Sequence, residues 1–142
     1  MTPGDGVAVA GPAPKVTIDL QLDNNPDAAS LARRALDGLT DEVPERPLRD
    51  AQLLVSELVT NAVRHAGLRT GDRIRVRVEL DDRNVHVEVH DPGMGFELRA
   101  PEPDPTRMSG WGLYLVDELA DRWGMDDGGV GTRIWFELGR AG

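Results

Sequence analysis

The sequence predicts an α+β fold, a two-layer sandwich with helices packed on one face of a sheet. Several segments alternate apolar and polar residues with period two, clearest where Ile74, Val76, Val78 and Leu80 alternate with Arg73, Arg75, Arg77 and Glu79. The next such segment follows across the short turn Asp81-Asp82-Arg83-Asn84, which makes the two an antiparallel hairpin. Other segments carry apolar residues at i, i+3 and i+4, the spacing of helices that bury a single stripe. A sheet with one apolar face and helices with one apolar stripe cover each other.

In chain order, residues 1–14 are mostly Gly, Pro and Ala. Such a composition buries too little apolar surface to offset ordering, so a disordered tail is expected there, with the folded domain spanning 15–142. Val16, Ile18, Leu20 and Leu22 alternate with Lys15, Thr17, Asp19 and Gln21, the pattern of a first strand. Asn25-Pro26 supplies a cap and a first-turn proline, and Leu31, Ala35, Leu36 and Leu39 keep helical spacing from Pro26 to Leu39. Thr40 to Pro47, with two prolines and three acids, reads as a loop. The strongest helical pattern follows over Leu48–Ala66, striped by Ala51, Leu54, Val55, Leu58, Val59, Ala62 and Ala66, with Gly67 as its C′ residue. After the hairpin, whose second strand alternates Val85, Val87, Val89 with His86, Glu88, His90, the stretch Phe96–Ser109 carries three prolines and reads as a long loop. A third helix is expected over Gly112–Trp123, burying Leu113, Leu115, Val116, Leu119 and Ala120. A turn at Gly128-Gly129 and a last strand over Gly131–Leu138 close the chain.

The 142 residues suit a single domain that buries roughly two-thirds of its unfolded surface. A net charge of -9 argues against nucleic-acid and anionic-membrane binding, since the overall field repels phosphate. Arginine accounts for fifteen of the sixteen basic residues, and Lys15 is the only lysine. The chain has no cysteine, which removes disulfides and thiolate metal sites. Its start lacks the early positive charge and apolar run of a signal peptide, and no apolar run approaches the roughly 20 residues of a membrane span. A cytoplasmic location is the expectation.

Three short constellations carry chemistry. On the helix of Leu48–Ala66, Glu57, Asn61 and His65 fall in one row along the shoulder of the apolar stripe. A carboxylate there serves as a general base, and an amide oxygen one turn on ligates Mg²⁺, though the same pair also suits an ordinary solvated helix flank. Asp91-Pro92-Gly93-Met94-Gly95 follows the third strand. Asp91 at a strand end accepts a hydrogen bond from an exocyclic amine such as adenine N6, and Gly93 and Gly95 permit close backbone approach; the bland alternative is a common acid-Pro-Gly turn. Gly110-Trp111-Gly112-Leu113 opens a helix, where free amides favour anionic oxygens, or else forms a simple hinge. Thr132 at the start of the last strand either helps hold a base or is merely structural. His86 and His90, on the polar face of an edge-like strand, read as solvated, and Arg73, Arg75 and Arg77 as a solvated or partner-facing ladder. There is no Walker loop and no Gly-x-Ser-x-Gly elbow.

In this order the three motifs resemble the N, G1 and G2 boxes of the GHKL, or Bergerat-fold, histidine-kinase-like ATPase superfamily. Within it the chain is most similar to the small anti-sigma-factor serine/threonine kinases of actinobacterial type. The N box is Glu57 to Ala66, G1 is Asp91 to Gly95 and G2 is Gly110 to Leu113, and the likeness runs from about Val16 to Leu138. The resemblance implies a mixed, largely antiparallel sheet and an ATP and Mg²⁺ site. It implies Glu57 as catalytic base, Asn61 as metal ligand and Asp91 as adenine reader. His65, Gly93, Met94, Gly95, Gly110, Trp111, Gly112, Leu113 and Thr132 would line the nucleotide site, with a lid running from Gly95 to Gly110. It further implies phosphorylation of an anti-sigma factor antagonist on serine, sigma-factor binding and a homodimer. Pro92 and Trp111 stand where the family often has polar residues. The alternative is a non-catalytic module, with or without nucleotide, that sequesters a sigma factor or another regulator. The ATP-binding part of a sensor histidine kinase fits less well, since no phosphoacceptor helix pair is read before Lys15.

Overall fold

The computed structural model describes residues 15–65, 69–92, 111–126 and 131–140. Within them the chain runs β1 (Lys15–Asp23), α1 (Ala28–Ala35), α2 (Glu45–His65), β2 (Arg73–Leu80), β3 (Asn84–Asp91), α3 (Trp111–Leu119), β4 (Arg122–Asp126) and β5 (Thr132–Gly139). A 3-10 turn over Leu36–Leu39 continues α1. The strands form one sheet in the order β1-β2-β3-β5-β4. The architecture is the expected α+β sandwich, but in place of a mixed sheet every neighbouring pair of described strands is antiparallel.

The core lies between the sheet and the helices. Ile74, Val76, Val78, Val85, Val87 and Val89 point inward from the central hairpin, Ile134, Phe136 and Leu138 from β5, and Leu54, Val55, Leu58 and Val59 from α2. α2 packs on β3 and β5, with α1 and α3 beside it. The hairpin turn is held by Asp81, whose Oδ1 accepts the backbone N–H groups of Arg83 (2.8 Å) and Asn84 (2.7 Å). Those two hydrogen bonds keep the Asp81 carboxyl below its ordinary value. Arg140 ties the end of β5 to this turn, donating to the Asp81 carbonyl at 2.5 Å and to that of Glu42 at 2.6 Å.

Several expectations are corrected. α1 starts at Ala28 with Asp27 as its N-cap, so Asn25 is not the cap and Pro26 is not in the first turn; Asn25 instead accepts the Asp27 N–H (2.9 Å) in a turn ahead of the helix. Leu31, expected inside, is 45% exposed, and the buried stripe is instead Ala28, Ala32, Leu36 and Leu39. The alanines leave room for α1 against α2, and Gln52 of α2 reaches across to the Arg33 carbonyl (2.9 Å) and the Asp37 carboxylate (2.7 Å). α2 begins at Glu45, three residues earlier than read, because Pro47 occupies the first turn, where a backbone N–H has no helical partner to lose.

The third helix ends at Leu119, not Trp123, and a strand absent from the sequence reading, β4, follows. The misreading has a physical source: Val116, Leu119, Ala120 and Trp123 continue an i, i+3, i+4, i+7 stripe. The chain leaves the helix because the Asp121 N–H bonds the Glu137 carbonyl (2.9 Å), which starts the ladder to β5. Trp123 and Met125 then pack against the core beside Phe136 and Ile134. Gly124 lies opposite Trp135, and a Cβ there would sit 2.8 Å from the indole nitrogen, so a larger residue would displace that side chain. β5 spans Thr132–Gly139, one residue later than expected. Gly67, the loop Phe96–Ser109, the turn Gly128-Gly129 and the tail over 1–14 lie outside the described residues. Among those described, no helix is long and apolar enough to cross a membrane.

Candidate functional site

Glu57 and Asn61 sit one turn apart on α2, each partly exposed, on the flank of the stripe that faces the core. Asp50 lies on the same flank, seven residues before Glu57. It lines a cavity of about 250 Å³ together with Arg46, Leu119, Asp121, Leu138 and others, so this flank of α2 faces the side where α3 packs. Glu57 and Asn61 continue this flank toward the C-terminal end of α2. His65 is the last residue of α2, and its side chain lies outside the described residues.

Asp91 closes β3 and Thr132 opens β5, and the two are register partners. Both are buried, at 6% and 3% exposure, the only polar or charged side chains so buried among the described residues. A carboxylate taken out of water needs hydrogen-bond donors around it. Placed beside a hydroxyl where two strands end, it makes a receptor for a planar ligand edge that presents an N–H donor, the pattern of adenine. Guanine, with a carbonyl at that position, would meet the carboxylate unfavourably. The buried carboxylate acceptor with a hydroxyl beside it thus fits the amine edge of an adenine nucleotide.

Trp111 and Gly112 form the first turn of α3, and Leu113 is partly buried against the core. Gly93, Met94, Gly95 and Gly110 lie outside the described residues. Among the described residues no three His, Asp or Glu side chains gather as a metal cage. A nucleotide-borne Mg²⁺ needs no cage, since it keeps several waters and takes one or two protein oxygens. Asn61 is of the right type for one of these.

The face of the sheet away from the helices holds a charge network, and the histidines there are neither on an edge nor solvated. β3 is the central strand. His86 contacts Glu137 through Nδ1 (2.9 Å) and Glu88 through Nε2 (2.8 Å), and stacks on Trp135 at a centroid distance of 5.6 Å. His90 Nε2 lies 2.9 Å from the other Glu88 oxygen. Arg122 pairs with Glu137, Arg133 with Asp126 (2.6 Å), and Arg75 with Asp19 (2.7 Å). The arginine ladder is thus matched by acids: Arg73 reaches Asp23 (3.3 Å) and Arg77 reaches Glu79 (3.1 Å). Burial pushes the Glu88 carboxyl up, but hydrogen bonds to His86 and His90 outweigh it and hold Glu88 below its ordinary value. A depressed folded value means that this stabilisation is complete above the unfolded value of about 4.3 and fades as pH falls through the lower folded one. Glu88→Gln is expected to lower Tm at neutral pH, with the gap to wild type closing below about pH 4 in thermal melts across the acid range. A gap that persists at acid pH would show that packing, not charge, sets the effect.

Residues 22–138 match the histidine kinase-like ATPase domain family. A protein of Listeria innocua serovar 6a named serine-protein kinase RsbW is 33% identical, with 73% of this chain and 75% of the relative covered. Proteins of the same name from Listeria monocytogenes serotype 4a and Staphylococcus epidermidis are 32% and 28% identical over the same shares. With its matched span running from the end of β1 to the end of β5, across α2, Asp91 and Thr132, the chain belongs to the histidine kinase-like ATPase domain family.

Proposed function

We propose that this protein is an ATP- and Mg²⁺-dependent serine/threonine protein kinase that also acts as an anti-sigma factor. Its substrate is a small anti-sigma factor antagonist, its second partner a sigma factor, and it works in the cytoplasm as a homodimer to regulate transcription. The observation that carries the reading is the buried Asp91 and Thr132 pair beside α2, in a chain whose relatives are named serine-protein kinases. Asp91 and Thr132 hold the adenine. Asn61 supplies an oxygen to Mg²⁺ on the phosphates. Gly93, Met94 and Gly95 flank the base, and Gly110, Trp111, Gly112 and Leu113 line the phosphate side, with His65 at the end of α2. Glu57 takes the proton from the substrate serine as its oxygen bonds the γ-phosphorus and the bond to the ADP oxygen breaks.

The direct test is transfer of γ-labelled phosphate to antagonist proteins encoded near the gene. Serine labelling supports the reading, and tight ATP binding without labelling would favour the non-catalytic module. A second expected outcome concerns binding alone. Mg-ATP at roughly 100 times its Kd should stabilise the fold by about 2.7 kcal/mol, a Tm rise of roughly 5–10 °C in a thermal shift assay. Chelating the Mg²⁺ should remove part of that rise. No shift at millimolar Mg-ATP would refute nucleotide binding.

A further inference from the structure

Gly131 is a residue to which the preceding reading gives no task, and its surroundings are unusual. It adopts φ +85, one of two glycines with positive φ among the described residues; the other is Gly71, at φ +94. Around Gly71 a side chain would meet nothing within 4 Å. At Gly131 an added Cβ would lie 1.9 Å from the Asp91 carbonyl oxygen, 2.9 Å from its carbon and 2.8 Å from the Pro92 Cα. The first glycine is explained by backbone conformation alone, and the second is also a backbone-to-backbone contact.

That contact is on the nucleotide side of the sheet. Asp91 and Thr132 are the last register pair of β3 and β5, so Gly131 follows on beyond Thr132 where Pro92 follows on beyond Asp91. The atoms it would strike are main-chain atoms of the turn that carries the carboxylate, and they cannot swing aside as a side chain would. Carbon atoms of real side chains are essentially never found within 3.0 Å of such neighbours, so any residue but glycine must drive the two strand ends apart by at least about 1 Å. A displacement of that size in a positioning group is enough to change a rate or an affinity about 100-fold.

We propose that Gly131 is a positioning residue for base selection. Its bare α-carbon lets the end of β5 close on the Asp91-Pro92 backbone, which sets the Asp91 carboxylate and the Thr132 hydroxyl against one edge of the same base. This rests on the reading of Asp91 as the adenine-binding group. The physical reason for selectivity is that a hydrogen-bond receptor discriminates only when its two groups stand at the ligand's own spacing. A side chain at position 131 keeps both groups and spoils their spacing.

The test compares wild type, Gly131→Ala, Gly71→Ala and Asp91→Asn for thermal stability and for the affinities of fluorescent ATP and GTP analogues with Mg²⁺. Gly71→Ala carries the positive-φ strain without the clash, and is expected to lower Tm while leaving ATP affinity and the ATP-to-GTP preference as in wild type. Gly131→Ala is expected to weaken ATP at least tenfold and GTP much less, so that its preference falls toward that of Asp91→Asn. Gly131→Asn, which tolerates positive φ better but retains the Cβ, should reproduce the loss of preference with a smaller drop in Tm. If Asp91→Asn removes the preference while a folded Gly131→Ala keeps it, the positioning role is overturned. If neither variant of Gly131 folds, the glycine serves the fold and the proposal is likewise overturned. An unchanged preference in Asp91→Asn would instead refute the reading of Asp91 on which the proposal stands.

Discussion

Replacing Glu57 by alanine is expected to lower the rate of serine phosphorylation about 100- to 10,000-fold while leaving Mg-ATP affinity within a few-fold of wild type. The asymmetry follows from position. Glu57 lies one turn before Asn61 on α2 and is partly exposed, whereas the base is assigned to Asp91 and Thr132 at the strand ends. A group that removes the hydroxyl proton acts in the transition state and contributes little to holding the ground-state nucleotide, so its loss appears in kcat and not in KM for ATP. Glu57→Gln tests the same point with nearly the same shape, since an amide cannot take the proton. Single-turnover phosphorylation measured beside nucleotide binding separates the terms. Equal labelling by Glu57→Ala and wild type would remove Glu57 from the chemistry, and a parallel collapse of ATP affinity would assign it to binding.

The second large effect concerns stability. Phe136→Ala is expected to destabilise the fold by about 3–5 kcal/mol, seen as a lower denaturation midpoint in urea with little change in slope. Phe136 is fully buried and is the largest fully buried side chain among the described residues. It lies at the middle of β5, opposite Val87 on the central strand and Trp123 on the outer one, and so joins β4 to the rest of the core. Domains are stable by only about 5–15 kcal/mol, so this single truncation removes a large share. Phe136→Leu leaves a smaller void and should cost less than half as much. A loss under about 1 kcal/mol for the alanine variant would show that the site collapses around the cavity.

Where each element was legible follows from how local its cause is. α2 and the hairpin are plain in the chain because their patterns are long and their partners near: seven core positions of α2 repeat at helical spacing, and β2 meets β3 across the turn held by Asp81. β4 was hidden because it is only five residues, contains Gly124, and follows a helix whose stripe runs on in register to Trp123. What makes it a strand is the ladder to β5, a partner beyond it in sequence and already paired to β3. Leu31 was placed inside by its spacing and is outside because α2 approaches the alanine side of α1. His86 and His90 read as solvated because alternation within β3 does not show that Glu88 turns to both of them, nor that Glu137 and Trp135 come to His86 from β5.

The sequence by itself determined the helix that carries Glu57 and Asn61, the strand that ends at Asp91 and the family to which their order belongs, because each is written in a short window by periodicity or by a motif. Tertiary structure alone decided that Asp91 and Thr132 are buried together, that Gly131 must be bare and that His86 is held between Glu88 and Glu137. Those facts depend on strand pairing across about 40 residues of chain, and which residues come to lie opposite one another is set by the packing of the whole sheet.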